Sequence, residues 1–102
     1  MTRDAIFALA LALPETAPGT TYGFPCVKLR GKPLVGDCRE PGAVALHLDL
    51  ETVERLVATR PDAFYQTPHF AGWPAVLVRP AAAEPAQLAG LGTVLCLYHA
   101  DS

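Results

Sequence analysis

The sequence predicts an α+β domain in the order α-β-β-β-α-β-β-α, a two-layer sandwich of a mostly antiparallel five-stranded sheet with helices on one face. Three observations lead there. Residues 26–30 alternate apolar with polar side chains, and residues 44–48 alternate Val44, Leu46 and Leu48 with Ala45 and His47, with turn formers such as Pro25, Gly31, Gly42 and Asp49 around them. Residues 2–13 and 49–60 carry apolar side chains at helical spacing behind a capping Thr or Asp. The strand-like segments come in runs joined by short turns, which favours antiparallel neighbours over crossover units. The second face of such a sheet is left partly open to solvent or to a partner.

Taken in order, Thr2 caps a helix over residues 3–13, which Pro14 stops. Ile6, Leu9, Ala10 and Leu13 share one face, with Phe7 and Leu11 beside it. This N-terminus imitates a secretory leader, but Asp4 is misplaced for a basic leading segment, so a core-facing helix is the better reading. Residues 14–23, PETAPGTTYG, are rich in turn formers and read as a loop that delivers Tyr22 and Phe24 to the sheet.

In the first strand, residues 26–30, Val27 and Leu29 point one way and Lys28 and Arg30 the other. Gly31 permits a reversal into residues 34–37. A two-residue turn at Gly31 and Lys32 sets Cys26 opposite Asp37, whereas a three-residue turn sets it opposite Cys38. The third strand turns Val44, Leu46 and Leu48 inward and Ala45 and His47 outward. Asp49 caps the second helix, residues 50–60, with Glu51 in its first turn and Val53, Leu56 and Val57 on its buried stripe. Residues 63–66 and 75–79 form the last hairpin. Pro85 opens a third helix over residues 85–97, with Leu88, Leu91, Leu95 and Tyr98 as its stripe. Gly90 and Gly92 weaken that helix by about 1 kcal/mol each. Residues 94–98 also fit a strand, though the helix is the reading taken.

A chain of 102 residues forms one domain, here spanning residues 1–102. With 51% hydrophobic and 18% charged residues it is not a disordered segment. A net charge of −2 argues against general polyanion binding and leaves only a local basic face for such a partner. No apolar run reaches the roughly 18 residues of a membrane span, so no membrane partner is expected. Three cysteines, Cys26, Cys38 and Cys96, lack C-x-x-C spacing; they are expected as free thiols in a cytoplasmic protein.

The segments LPETAPGTTYGFPCVKLRGK and PDAFYQTPHFAGWPAVLVRP resemble the two signature blocks of the MmcQ/YjbR-like family, in order and spacing, over roughly residues 5–89. The resemblance implies a small α/β protein with a fold similar to the type III secretion chaperones, often labelled DNA-binding for a paired-wing arrangement. Two departures stand out. The chain ends LGTVLCLYHADS, where members commonly carry a Trp followed by a basic residue, and His47 stands where the family often places Lys.

Two stretches carry the candidate binding residues. Lys28, Arg30 and Lys32 lie on one hairpin, with Arg39 nearby, and suit a phosphate backbone. The plainer reading is a solvated hairpin kept from edge-to-edge aggregation by its charges. In residues 67–74, His69 can donate to a phosphate or a carboxylate and the aromatics can stack on bases. The plainer reading is a self-packed loop in which Phe70 and Trp73 cover the end of the core and His69 bonds to backbone, a reading that suits Phe70 better than Trp73. A metal site from His47, His69, His99 and the cysteines lacks ligand spacing, and no cofactor is expected. No nucleophile has a nameable His and carboxylate pair, and no phosphate loop or nucleophile elbow occurs, so no enzymatic activity is expected. Two functions remain. One is weak, salt-sensitive DNA or other nucleic-acid binding through two hairpin wings. The other is a protein-interaction or chaperone-like module that binds a partner, or a second copy, through the open sheet face.

Overall fold

In the computed structural model, which describes residues 1–40 and 42–90, the first helix α1 (Arg3–Leu11) starts where the Thr2 hydroxyl accepts from the Ala5 amide at 3.1 Å. It stops at Leu11 rather than at residue 13, and Leu11 itself is 44% exposed. Ile6 and Ala10 are buried beneath it, and Phe7 and Leu13 pack at the margin of the core.

The next element corrects the expected loop. Residues 16–21 form a strand, β1 (Thr16–Thr21), paired along its length with β2 (Phe24–Leu29). An edge strand pairs on one side only, so the backbone hydrogen bonds to β2 override the turn preference of Pro18 and Gly19. Tyr22 and Gly23 join the two strands with φ of 52° and 81°, the left-handed pair that a type I′ turn requires. In a two-residue hairpin the residues flanking the turn bond each other, so Thr21, Gly19 and Ala17 direct their polar groups toward β2. The Arg30 amide donating to the Glu15 carbonyl at 3.3 Å continues that alternation. Pro18 therefore presents its missing donor to the free edge, which blunts that edge against strand addition.

A second type I′ turn joins β2 to β3 (Lys32–Asp37), made by Arg30 at φ 51° and Gly31 at φ 85°, so that Leu29 faces Lys32. The expected turn at Gly31 and Lys32 is thereby displaced by one residue. A bulge between Val27 and Lys28 then absorbs an extra residue on β3. Cys26 ends up opposite Gly36, in neither of the two expected registers.

The chain continues through β4 (Val44–His47), α2 (Leu50–Thr59), β5 (Phe64–Tyr65), β6 (Ala75–Val78), a 3-10 turn (Pro80–Ala82) and α3 (Pro85–Gly90). The expected helix end beyond residue 90 lies outside the described residues. Asp49 Oδ2 caps α2 by accepting from both the Thr52 amide, at 3.0 Å, and its hydroxyl, at 2.9 Å. The sheet thus has six strands rather than five, all antiparallel, in the order β1-β2-β3-β4-β6-β5. β6 enters between β4 and β5, so the last hairpin forms the far edge.

One core cluster joins Ile6 and Ala10 of α1, Val53 and Leu56 of α2, and strand residues including Val27, Leu34, Leu46, Phe64 and Val76. The opposite sheet face is less open than its sequence suggests. Ala43, Ala45 and Leu77 form a second buried cluster there, against which Phe70, Tyr65 and Cys38 pack. Gly36 completes the row between Cys26 and Ala45. A side chain at Gly36 would set its Cβ 2.9 Å from the Cys26 Cβ, so the close approach needs glycine. Arg3 fastens α1 to β3 by two bonds to Asp37, both 2.6 Å, while its guanidinium lies 4.3 Å over the Phe7 ring.

Candidate nucleic-acid interface

Antiparallel alternation decides which candidate residues meet. β2 and β4 run the same way, as does β5, so the β2–β3 turn, the end of β4 and the β5–β6 loop all emerge at one end of the sheet. The two hairpin tips are three strand spacings apart, about 14 Å. The β3–β4 connection leaves from the opposite end, and it carries Arg39. Arg39 therefore does not join Lys28, Arg30 and Lys32.

The three basic residues of the first hairpin differ in what they can offer a ligand. Lys28 lies along β1, where a Cβ added to Gly19 would come 3.2 Å from its Cδ and 3.3 Å from its Cε. Its aliphatic stem covers Gly19, which lies opposite Cys26, so the side chain leans along the outer face away from the β2–β3 turn. Lys32 sits across from Leu29, on the helix side of the hairpin, and is exposed. The two lysines thus lie on opposite faces of the hairpin, Lys32 beside the turn and Lys28 behind it, and neither has a carboxylate within ion-pair distance among the described residues. Arg30 is different. Its guanidinium pairs with Glu15, which the β1–β2 pairing brings beside the turn. The same end also receives Asp49 and Glu51 from the junction of β4 with α2. The residues named at this end therefore carry no net positive charge, and a phosphate would be held locally, by the two lysines that make no ion pair among the described residues.

The second tip is aromatic. Thr67 O accepts from the amides of Phe70, at 2.9 Å, and Ala71, at 3.0 Å, and Gly72 turns the chain back at φ 81°. Phe70 faces into the outer-face cluster, as the self-packed reading expects. His69 stands edge-on to Phe70 at 5.2 Å and stacks with Trp73 at 6.0 Å between centroids and 26° between planes. Trp73 remains 58% exposed.

Sequence reasoning missed the residue that shapes this loop. The Gln66 amide nitrogen lies within hydrogen-bond distance of the carbonyls of Phe70 (2.9 Å), Trp73 (3.1 Å) and Ala75 (2.8 Å), tying the start of the loop to its end. No spacing rule marks such a glutamine, because its acceptors are backbone carbonyls. It also missed Glu15 as the partner of Arg30, since the carboxylate belongs to a segment read as a loop.

Cys26 and Cys38 are free thiols. Cys26 lies on the outer sheet face, in the row of Gly36 and Ala45, and is buried there with its Sγ 3.3 Å from the Thr21 hydroxyl. Burial pushes the Cys38 thiol above its ordinary range, away from thiolate reactivity. Among the described residues, no group of three or more His, Cys, Asp and Glu side chains is placed to hold a metal ion. Cys96 and His99 lie outside the described residues. No described helix is long and apolar enough to cross a membrane. Comparison with models of known protein families, with curated proteins and with solved structures gave no match.

Proposed function

We propose that this chain is a small non-enzymatic binding protein that takes nucleic acid end-on, across the two hairpin tips at one end of its sheet. One observation carries this reading. A hairpin whose Lys28 and Lys32 make no ion pair among the described residues shares that end with a tip that presents the exposed Trp73 beside His69. Cations hold a phosphate backbone, and an exposed indole adds a contact that needs no charge. The paired-wing expectation attached to the MmcQ/YjbR-like resemblance points the same way.

Docking of a protein on the outer sheet face has less support. Cys26, Ala45 and Leu77 on that face are already buried, and Pro18 blunts the β1 edge.

A fluorescence-anisotropy titration across salt concentrations tests the proposal. Two lysine–phosphate contacts give a slope of log K against log salt of about −1.8 on duplex DNA, or about a 12-fold loss of affinity from 50 to 200 mM salt. Replacing both lysines by Ala takes the slope toward zero. Absence of binding at 50 mM salt rejects nucleic acid as the ligand and leaves a protein partner.

A further inference from the structure

We infer that the nucleic acid taken at this end is single-stranded, with one unpaired base stacked on the indole of Trp73. The inference rests on the binding reading above and adds strand selection to it. Two lysines alone give no preference for single strands, because a duplex offers the denser row of phosphates. What distinguishes the two ligands is the second tip. Bases inside a duplex are stacked on each other, and their faces are closed to a side chain unless the pair is opened. An unpaired base has its face free, and stacking on an aromatic side chain is tolerant of base identity.

Trp73 meets the requirements for such a platform. It is 58% exposed, so much of the ring is in solvent. It is also held in place. Its amide donates to the Phe70 carbonyl at 2.9 Å, its carbonyl accepts from Gln66 at 3.1 Å, and His69 lies against its ring at 6.0 Å. The two hydrogen bonds order the Trp73 backbone, and the stacked imidazole of His69 is the contact made to the indole itself. The loop, residues 67–74, has no Lys or Arg, so its contribution depends on a ring face rather than on phosphate contact. About 14 Å between the tips leaves room for a strand to be held by its phosphates at the lysine hairpin while a base a few nucleotides away reaches Trp73.

Stacking worth about 1–3 kcal/mol per base corresponds to a preference of roughly 5- to 150-fold for a single strand over a duplex of equal length at one salt concentration. The probes are a labelled 20-nucleotide oligothymidylate and a 20-base-pair duplex, read by anisotropy and by the intrinsic fluorescence of Trp73, the one tryptophan in the chain. The expected result is tighter binding of the oligothymidylate together with quenching of Trp73. Trp73→Ala abolishes the preference without changing the salt slope, and Trp73→Phe keeps part of it. Equal binding of the two probes overturns the inference, as does a preference that survives in Trp73→Ala. Lysine-dependent duplex binding without quenching overturns strand selection alone. Failure of both probes to bind at 50 mM salt overturns the inference together with the reading it rests on.

Discussion

Gln66 is the residue on which the shape of the aromatic tip depends, and its replacement gives the sharpest test of the loop. Its single NH2 group has two protons for three carbonyl acceptors, at 2.8, 2.9 and 3.1 Å, so at least one proton is shared. Counting two net bonds at about 1 kcal/mol each, and allowing water to reach the exposed Trp73 carbonyl, Gln66→Ala costs about 1–2 kcal/mol. For a domain of this size each kcal/mol lowers Tm by roughly 4–8 °C. Gln66→Glu is worse at neutral pH, because a carboxylate then faces three carbonyl oxygens and no donor. The protonated acid is the form the site accepts, so the folded state raises this carboxyl's pKa above its unfolded value of about 4.3. The stabilising contribution is full below that unfolded value and is lost as pH rises through the folded one. Gln66→Glu should therefore recover stability relative to Gln66→Ala between pH 7 and pH 4. Urea melts followed by circular dichroism supply the free energies, and the Trp73 emission maximum reports the loop. A Gln66→Ala protein within 0.5 kcal/mol of the parent, with unchanged emission, refutes this account of the loop.

Four further outcomes are expected. Glu15→Gln releases Arg30 to a third phosphate and steepens the duplex salt slope from about −1.8 to about −2.7, while an exposed pair of this kind changes stability by less than about 1 kcal/mol. Gly36→Ala forces a Cβ against Cys26 and costs about 1–3 kcal/mol in a thermal melt; a smaller cost in a Cys26→Gly background identifies that contact as the cause. Asp37→Asn weakens the clasp between α1 and β3 by about 1 kcal/mol, less at 1 M salt, read by urea denaturation. Asp62 is held below the ordinary aspartate range by its hydrogen bonds from Arg60. Its contribution is present above about pH 4 and is lost as pH falls through its lowered folded value, so Asp62→Asn should shallow the acid-side loss of stability between pH 4 and pH 2.

What the sequence alone determined is what short-range signals encode. Asp49 as a cap with Val53 and Leu56 at helical spacing defines α2, and Thr2 with Ile6 and Ala10 defines α1. The alternation of Val44 and Leu46 with Ala45 and His47 assigns β4 its faces, and the self-packing of Phe70 follows from the need to order a long hairpin loop. Tertiary structure decided the remainder. β1 has no apolar periodicity, with Pro18 and Gly19 at its centre, and becomes a strand because β2 satisfies its backbone polar groups. The register of β2 on β3 depends on Arg30 adopting a left-handed conformation and on a bulge across the strand pair, and neither has a composition signal. For the candidate site, the lysines and Trp73 could be named from the sequence, but their meeting at one end of the sheet follows from β6 entering between β4 and β5. Arg39 was separated from them, and Arg30 neutralised, by the same strand order and pairing. Local patterns report the partners within a turn or two of helix. The contacts that built this surface join residues distant in sequence, and they exist only once the sheet has closed.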